Sequence, residues 1–231
     1  MSTIAPVSFQ HATGSASSST VAIAAILTAG DPIAVIVVSP SGQSVTGISD
    51  GANTYTLLGT QSNPHLGTTF TVYKCAPTAG GSKTITAAFS ATTAYPWIGV
   101  MGATYSSGVD TFVTNYQAST GSSTDAITTG TALPSTQPGL IFGFVHGPGA
   151  TSPGSGFSFD AFANDGTNGT NFSVSWSTEY KRYTSASAIA ATWTEGDSPA
   201  YVTSIAVLFK ESTAATAKSA RNYYEQFIRG C

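Results

Sequence analysis

The chain has 231 residues, of which 41% are hydrophobic and only 8% are charged, with a formal net charge of −3. About a quarter of residues are charged in an ordinary soluble domain, so the solvent-facing side here must be built from Thr, Ser, Asn, Gln and Gly. The apolar and aromatic content excludes a disordered chain, because its burial can offset chain entropy. The net charge offers no footprint for nucleic acid.

The opening Met1-Ser2-Thr3-Ile4-Ala5-Pro6 has no basic region and no apolar run behind it, so synthesis in the cytoplasm of some cell, without a signal peptide, is expected. Val21 to Leu27 is apolar but far short of the ~20 residues that span a bilayer. No membrane partner is expected. From there the chain reads as short runs of Val, Ile, Thr, Tyr and Phe bounded by Gly, Pro, Asn and Asp, which is strand patterning. Strands are predicted at Val7–His11, Val21–Leu27, Ile33–Val38, Thr54–Leu58, Thr68–Cys75, Thr84–Ser90 and Ile98–Tyr105. The second half adds Thr111–Gln117, Ala126–Thr131, Leu140–Val145, Phe157–Phe162, Phe172–Ser177, Ala188–Thr194 and Val202–Phe209. Ile33–Val38 is apolar throughout and reads as a strand buried on both faces. Asp50-Gly51 and Asp165-Gly166 supply the positive-φ residue of hairpin turns.

Two stretches resemble each other at a spacing of about 107 residues. Phe9-Gln10-His11-Ala12-Thr13-Gly14-Ser15 leads to Ile33–Val38, and Tyr116-Gln117-Ala118-Ser119-Thr120-Gly121-Ser122 leads to Leu140–Val145. Coincidence within a Ser/Thr-rich β composition is one reading. A jelly roll, whose two Greek keys present equivalent strands twice, is the other.

Residues 1–212 are therefore expected to form one all-β domain, a two-sheet antiparallel sandwich of jelly-roll type. Residues 213–231 differ in character. Ala214, Ala215, Ala217 and Ala220 favour helix, and Ala217, Ala220, Tyr224, Phe227 and Ile228 fall near one helical face. Lys210, Lys218, Arg221 and Arg229 are half of the eight cations. A short helical arm for assembly is expected there, with Arg221, Tyr223, Tyr224, Phe227 and Ile228 as its contact residues.

Catalytic chemistry is hard to find. Gly47-Ile48-Ser49-Asp50-Gly51 matches the nucleophile-elbow pattern, but a β-rich run follows in place of the required helix. His11, His65 and His146 are far apart, and the last two sit in Pro/Gly loops where a solvated side chain is the default. Asp160, Asn164, Asp165 and Asn168 lack the spacing of a calcium loop. Nothing orients Glu179, Glu195 and Asp197 as a glycosidase pair. Asn168-Gly169-Thr170 and Asn171-Phe172-Ser173 are sequons in form and read as turn chemistry. Trp97, Trp176 and Trp193 could stack on sugars, but Trp176 and Trp193 alternate with Ser and Thr as core residues of a one-sided sheet do. No enzyme activity, metal or cofactor is expected.

Cys75 falls on the more polar face of the Thr68–Ala76 strand, with Thr69, Thr71 and Tyr73, and Cys231 ends the chain. Two unrelated thiols, or a Cys75–Cys231 disulfide within or between chains, are both open.

Val45-Thr46-Gly47-Ile48-Ser49-Asp50-Gly51-Ala52-Asn53-Thr54-Tyr55-Thr56-Leu57 resembles a module of bacterial surface proteins and tailed-phage structural proteins. Thr71-Val72-Tyr73, Gly80-Gly81-Ser82-Lys83-Thr84-Ile85-Thr86 and Ala103-Thr104-Tyr105-Ser106-Ser107-Gly108-Val109-Asp110 continue the likeness, which is clear over the first half and loose over the second. It implies a jelly-roll-type sandwich and transfers no catalytic residue. Phage members of the family look like head decoration or fibre-associated proteins. The resemblance thus implies a virion structural protein on a capsid or tail surface, with partners in itself, as a dimer or trimer, and in a major capsid or other virion protein. The alternative is a carbohydrate-binding or adhesin module that takes host glycans.

Overall fold

A computed structural model describes residues 3–15, 17–40, 43–118, 126–132, 134, 138–147, 150–168, 172–185, 187–195 and 201–212. Among them there is no helix, and every strand pairing is antiparallel. The predicted arm at 213–231 lies outside the described residues.

The first half of the chain carries β1 (Ala5–Thr13), β2 (Ser18–Leu27), β3 (Ile33–Pro40), β4 (Val45–Ser49), β5 (Thr56–Asn63), β6 (Thr68–Cys75), β7 (Gly81–Thr93) and β8 (Trp97–Thr104). They form one sheet ordered β1-β8-β3-β6-β5 and another ordered β2-β7-β4. The second half carries β9 (Ser106–Ala118), β10 (Ala126–Thr128), β11 (Gly139–His146), β12 (Ala150–Pro153), β13 (Ser158–Asn168), β14 (Phe172–Tyr183), β15 (Thr192–Glu195) and β16 (Tyr201–Glu211). These form sheets ordered β9-β16-β11-β14-β13 and β10-β15-β12. Adding eight to each strand number of the first half reproduces the second. The chain is an internal duplication, and the 107-residue likeness joins β1 to β9 and β3 to β11.

Where the sequence predicts two packed sheets, the described residues form four. The two five-stranded sheets pack face to face around Phe9, Ile36, Phe70, Trp97, Phe142, Phe144, Trp176 and Phe209. Each also carries a three-stranded sheet on its other side. Val21, Ile23, Val35, Val37 and Ile85 fill one outer interface, and Ile127, Ile141, Val145, Trp193 and Leu208 fill the other. The central strands β3 and β11 are thus covered on both faces, which is why their sequences are apolar without alternation. β2 is covered on one face only, and its burial alternates: Val21, Ile23, Ala25 and Leu27 point inward while Ala22, Ala24 and Ile26 point out. Ala34, Ile36 and Val38 share the central core with Leu140, Phe142 and Phe144. The 107-residue spacing therefore finds the right strand but is one residue off in face.

Both predicted Asp-Gly hairpins need correction. Gly51 does take a positive φ of 77°, but β4 pairs with β7 and β5 with β6. Asp50-Gly51 therefore turns a corner between sheets. Asp165-Gly166 lies inside β13, in the bulge between Asn164 and Thr167. The strands β4 and β12, missed from sequence, are equivalent short edge strands.

Candidate functional site

Ser49 ends β4, and its Oγ accepts the Gly51 N–H at 3.1 Å. The strand–turn–helix context of a nucleophile elbow is replaced by a corner leading into β5. The corner is built around Asp50. Its Oδ1 accepts the amides of Ala52 at 2.9 Å and Asn53 at 2.7 Å, while its Oδ2 accepts Asn53 Nδ2 at 2.7 Å and the Tyr55 hydroxyl at 3.1 Å. Asn53 Oδ1 in turn accepts the amides of Thr78 and Ala79, which ties the corner to the turn before β7. Burial alone would raise the Asp50 pKa, but these donors favour the anion and bring it down to about 2. Both Asp50 carboxylate oxygens and Asn53 Oδ1 accept from the chain's own donors, which fixes the corner's shape.

The second half secures the equivalent corner differently. Glu179 on β14 is fully buried, and its carboxylate accepts the amides of Gly154 at 2.8 Å and Thr192 at 2.9 Å. Here desolvation outweighs the two amides and the nearby Lys181, and the pKa rises to about 7. Opposite Glu179 in register is Gly143. A Cβ there would meet Ala191 Cβ at 2.6 Å and the Trp193 ring at 2.9 Å, so the missing side chain lets β15 close over the central sheet.

Two expectations about exposure are corrected. His146 is not a solvated loop residue: it ends β11, is 2% exposed, and meets the Phe70 ring edge-on at 5.2 Å. Its Nδ1 has no hydrogen-bond partner, and burial lowers its pKa to about 4. Cys75 is not accessible on a polar face. With Tyr73 it belongs to the outer core of the first half, because both faces of β6 are covered. It is a free thiol, 3% exposed, and burial pushes its pKa up to about 11. It nevertheless lines the wall of a cleft of about 250 Å³, with Pro32, Thr54, Thr56, Lys74, Ala76, Gly108 and Val109. Cys231, Arg221, Tyr223, Tyr224, Phe227 and Ile228 lie outside the described residues.

Trp97, Trp176 and Trp193 are core residues, each at most 2% exposed. Ser177 beside Trp176 is also fully buried, since β14 is covered on both faces. Asp160, Asn164, Asp165 and Asn168 all fall on β13, and their side chains are outside what is described, as is Asp197. Asn168 pairs with Phe172 across β13 and β14, and residues 169–171 of the sequons lie outside the described residues. Among the described residues no three His, Cys, Asp or Glu side chains gather as metal ligands, and no helix is long and apolar enough to cross a membrane.

Sequence reasoning missed an aromatic row at the seam between the halves. His65, in the β5–β6 turn, stacks on Tyr201 of β16, and Tyr116 of β9 lies parallel to Tyr201 with centroids 6.4 Å apart. The contributing residues are far apart in sequence, and only the strand order brings them together. Comparison with protein-family models, with curated proteins and with solved structures returns no match for this chain.

Proposed function

We propose that the chain is a structural subunit of a virus particle: a decoration or accessory protein that coats a tailed-phage capsid or tail surface and stabilises it through contacts between subunits. The observation that carries this reading is the outer face of the β2-β7-β4 sheet. Its side chains run in register as Ala22, Thr86 and Ser49, then Ala24 and Thr84, then Ile26 and Ser82. None of these is charged, and Ile26 is 78% exposed. An uncharged face on a chain so poor in charge is weakly protected against association. Symmetric dimers or trimers are the usual closed units for such a surface.

Two further features support the reading. Each half sets a five-stranded sheet against a three-stranded one, the eight-stranded double-sheet plan from which we infer a jelly roll, and the sequence resembles phage structural modules. The arm at 213–231, with Arg221, Tyr223, Tyr224, Phe227 and Ile228, leaves from Ser212, whose N–H donates to Tyr105 O at 2.8 Å. Tyr105 is itself 43% exposed. We assign the arm to fastening one subunit to the next on the virion surface. Sedimentation of the full chain and of Ile26→Lys tests the face. The parent should sediment as a closed oligomer and the variant as a smaller species. Identical sedimentation of the two would remove the face from the contact.

A further inference from the structure

Tyr116 pairs across the β9–β16 ladder with Thr203, so Tyr201 is its diagonal neighbour on the same face. The two rings lie within 4° of parallel. His65 is laid on Tyr201 with its plane tilted by 25°. The His65 side chain is exposed and the two tyrosines are half-buried.

The row is held in place from below. Asn63 is fully buried; its Nδ2 donates to Thr203 Oγ1 at 3.1 Å and to Tyr201 O at 3.5 Å, and its Oδ1 accepts the Leu66 N–H at 3.0 Å. These bonds clip the β5–β6 turn onto β16. Gln61 Oε1 accepts the Thr114 hydroxyl at 2.9 Å, joining β5 to β9 beside the row. Sealing the end of the central core explains the buried parts of Tyr116 and Tyr201. It does not explain an exposed His65 held over Tyr201 by a fully satisfied Asn.

The charges on these strands stand at the other end: Lys74 on β6, Asp110 on β9, and Lys210 and Glu211 on β16. Among the described residues of the turn and the near ends of β5, β9 and β16 there is no Lys, Arg, Asp or Glu. A ligand here is met by ring faces and neutral hydrogen-bonding groups. A nucleotide would bring a phosphate with no cation to receive it. A sugar ring offers a flat C–H face for the aromatic row and hydroxyls for its polar rim.

We propose that the seam formed by His65, Tyr201 and Tyr116 binds a neutral saccharide. The site is remote from the β2-β7-β4 face and does not depend on the assembly reading. The test is calorimetric titration of the full chain with maltohexaose, cellohexaose and chitohexaose, and with sialyllactose and oligogalacturonate as charged controls. At least one neutral oligosaccharide should bind saturably, and His65→Ala and Tyr201→Ala should each weaken it by about tenfold or more. His65 is exposed, so His65→Ala should keep the parent's melting temperature and decides the matter even if Tyr201→Ala misfolds. Binding to none of the neutral sugars, binding only to the charged ones, or unchanged affinity in His65→Ala would overturn the proposal.

Discussion

Glu179 reaches from the central sheet to the outer one, where its Oε1 accepts the Thr192 amide at 2.9 Å. Its other oxygen holds Gly154 at the end of β12, so one carboxylate pins both β12 and β15 onto β14. Because it does this from a fully buried position, its charge is costly and the folded-state pKa is raised to about 7 from 4.5. Between these values the folded state keeps a proton that the unfolded state has released. The contribution to stability is present below the unfolded pKa and is lost as pH rises through about 7. Urea melts of Glu179→Gln should therefore show the variant gaining on the parent from pH 5 to pH 8. A constant difference between the two would refute the raised pKa.

His146 works in the opposite direction. Its folded pKa is lowered from 6.5 to about 4, so the unfolded state binds a proton that the folded state refuses. Its contribution is present above the unfolded pKa and is lost as pH falls through the folded one. The two windows overlap, so the parent's stability should be nearly flat through mildly acidic pH. His146→Leu, which also removes an unpartnered buried nitrogen, should unmask the Glu179 slope. A flat profile that persists in both single variants would contradict the pairing of effects.

Asp50 shows that the same corner can be built without that pH sensitivity. Asp50→Ala leaves two backbone amides and the Tyr55 hydroxyl without their acceptor, and leaves Asn53 Nδ2 with only the Ala79 carbonyl. These are exposed or half-buried hydrogen bonds to a charged acceptor, and a loss of about 1–2 kcal/mol is expected. The natural Asp should lose its contribution only as pH falls through about 2. Thermal melts at pH 7 and pH 3 check both statements.

Cys75 should be slow to react. A thiol that is 3% exposed, with its pKa pushed up to about 11, offers little thiolate at neutral pH. Maleimide labelling of the native chain should modify Cys75 only as the fold opens. Fast labelling of Cys75 would show that the cleft beside it admits reagents.

The strand content was legible because the runs bounded by Gly, Pro and Asn are real: β6 runs from Thr68 to Cys75 as predicted. The number of layers was written in a signal followed only at Ile33–Val38. Leu140–Val145 and Ile205–Phe209 are equally continuous and equally buried, and two doubly covered sheets back to back require four layers. β4 and β12 escaped notice because short edge strands containing Gly47 or Pro153 carry little β signal. The burial of Cys75 was missed through that miscount of layers, and that of His146 because β11 runs one residue past Val145 and lays it on Phe70 of the central core. Glu179 and the His65–Tyr201 contact depend on partners distant in sequence, which no local pattern reveals.

The two halves share the central core, so Phe144→Ala should destabilise the whole chain by about 3–5 kcal/mol. It should do so in a single calorimetric transition, because Phe144 touches Phe9, Phe70 and Trp97 across the interface. Two separated transitions would mean that the halves fold independently.

The assembly account is tested most directly by native mass spectrometry of the full chain beside a chain ending at Ser212, with and without reductant. The full chain should appear as a dimer or trimer and the shortened one as a folded monomer. Reductant should loosen the full-length oligomer if Cys231 links neighbours. A full chain that is monomeric at high concentration, or a shortened chain that assembles equally well, would contradict the account.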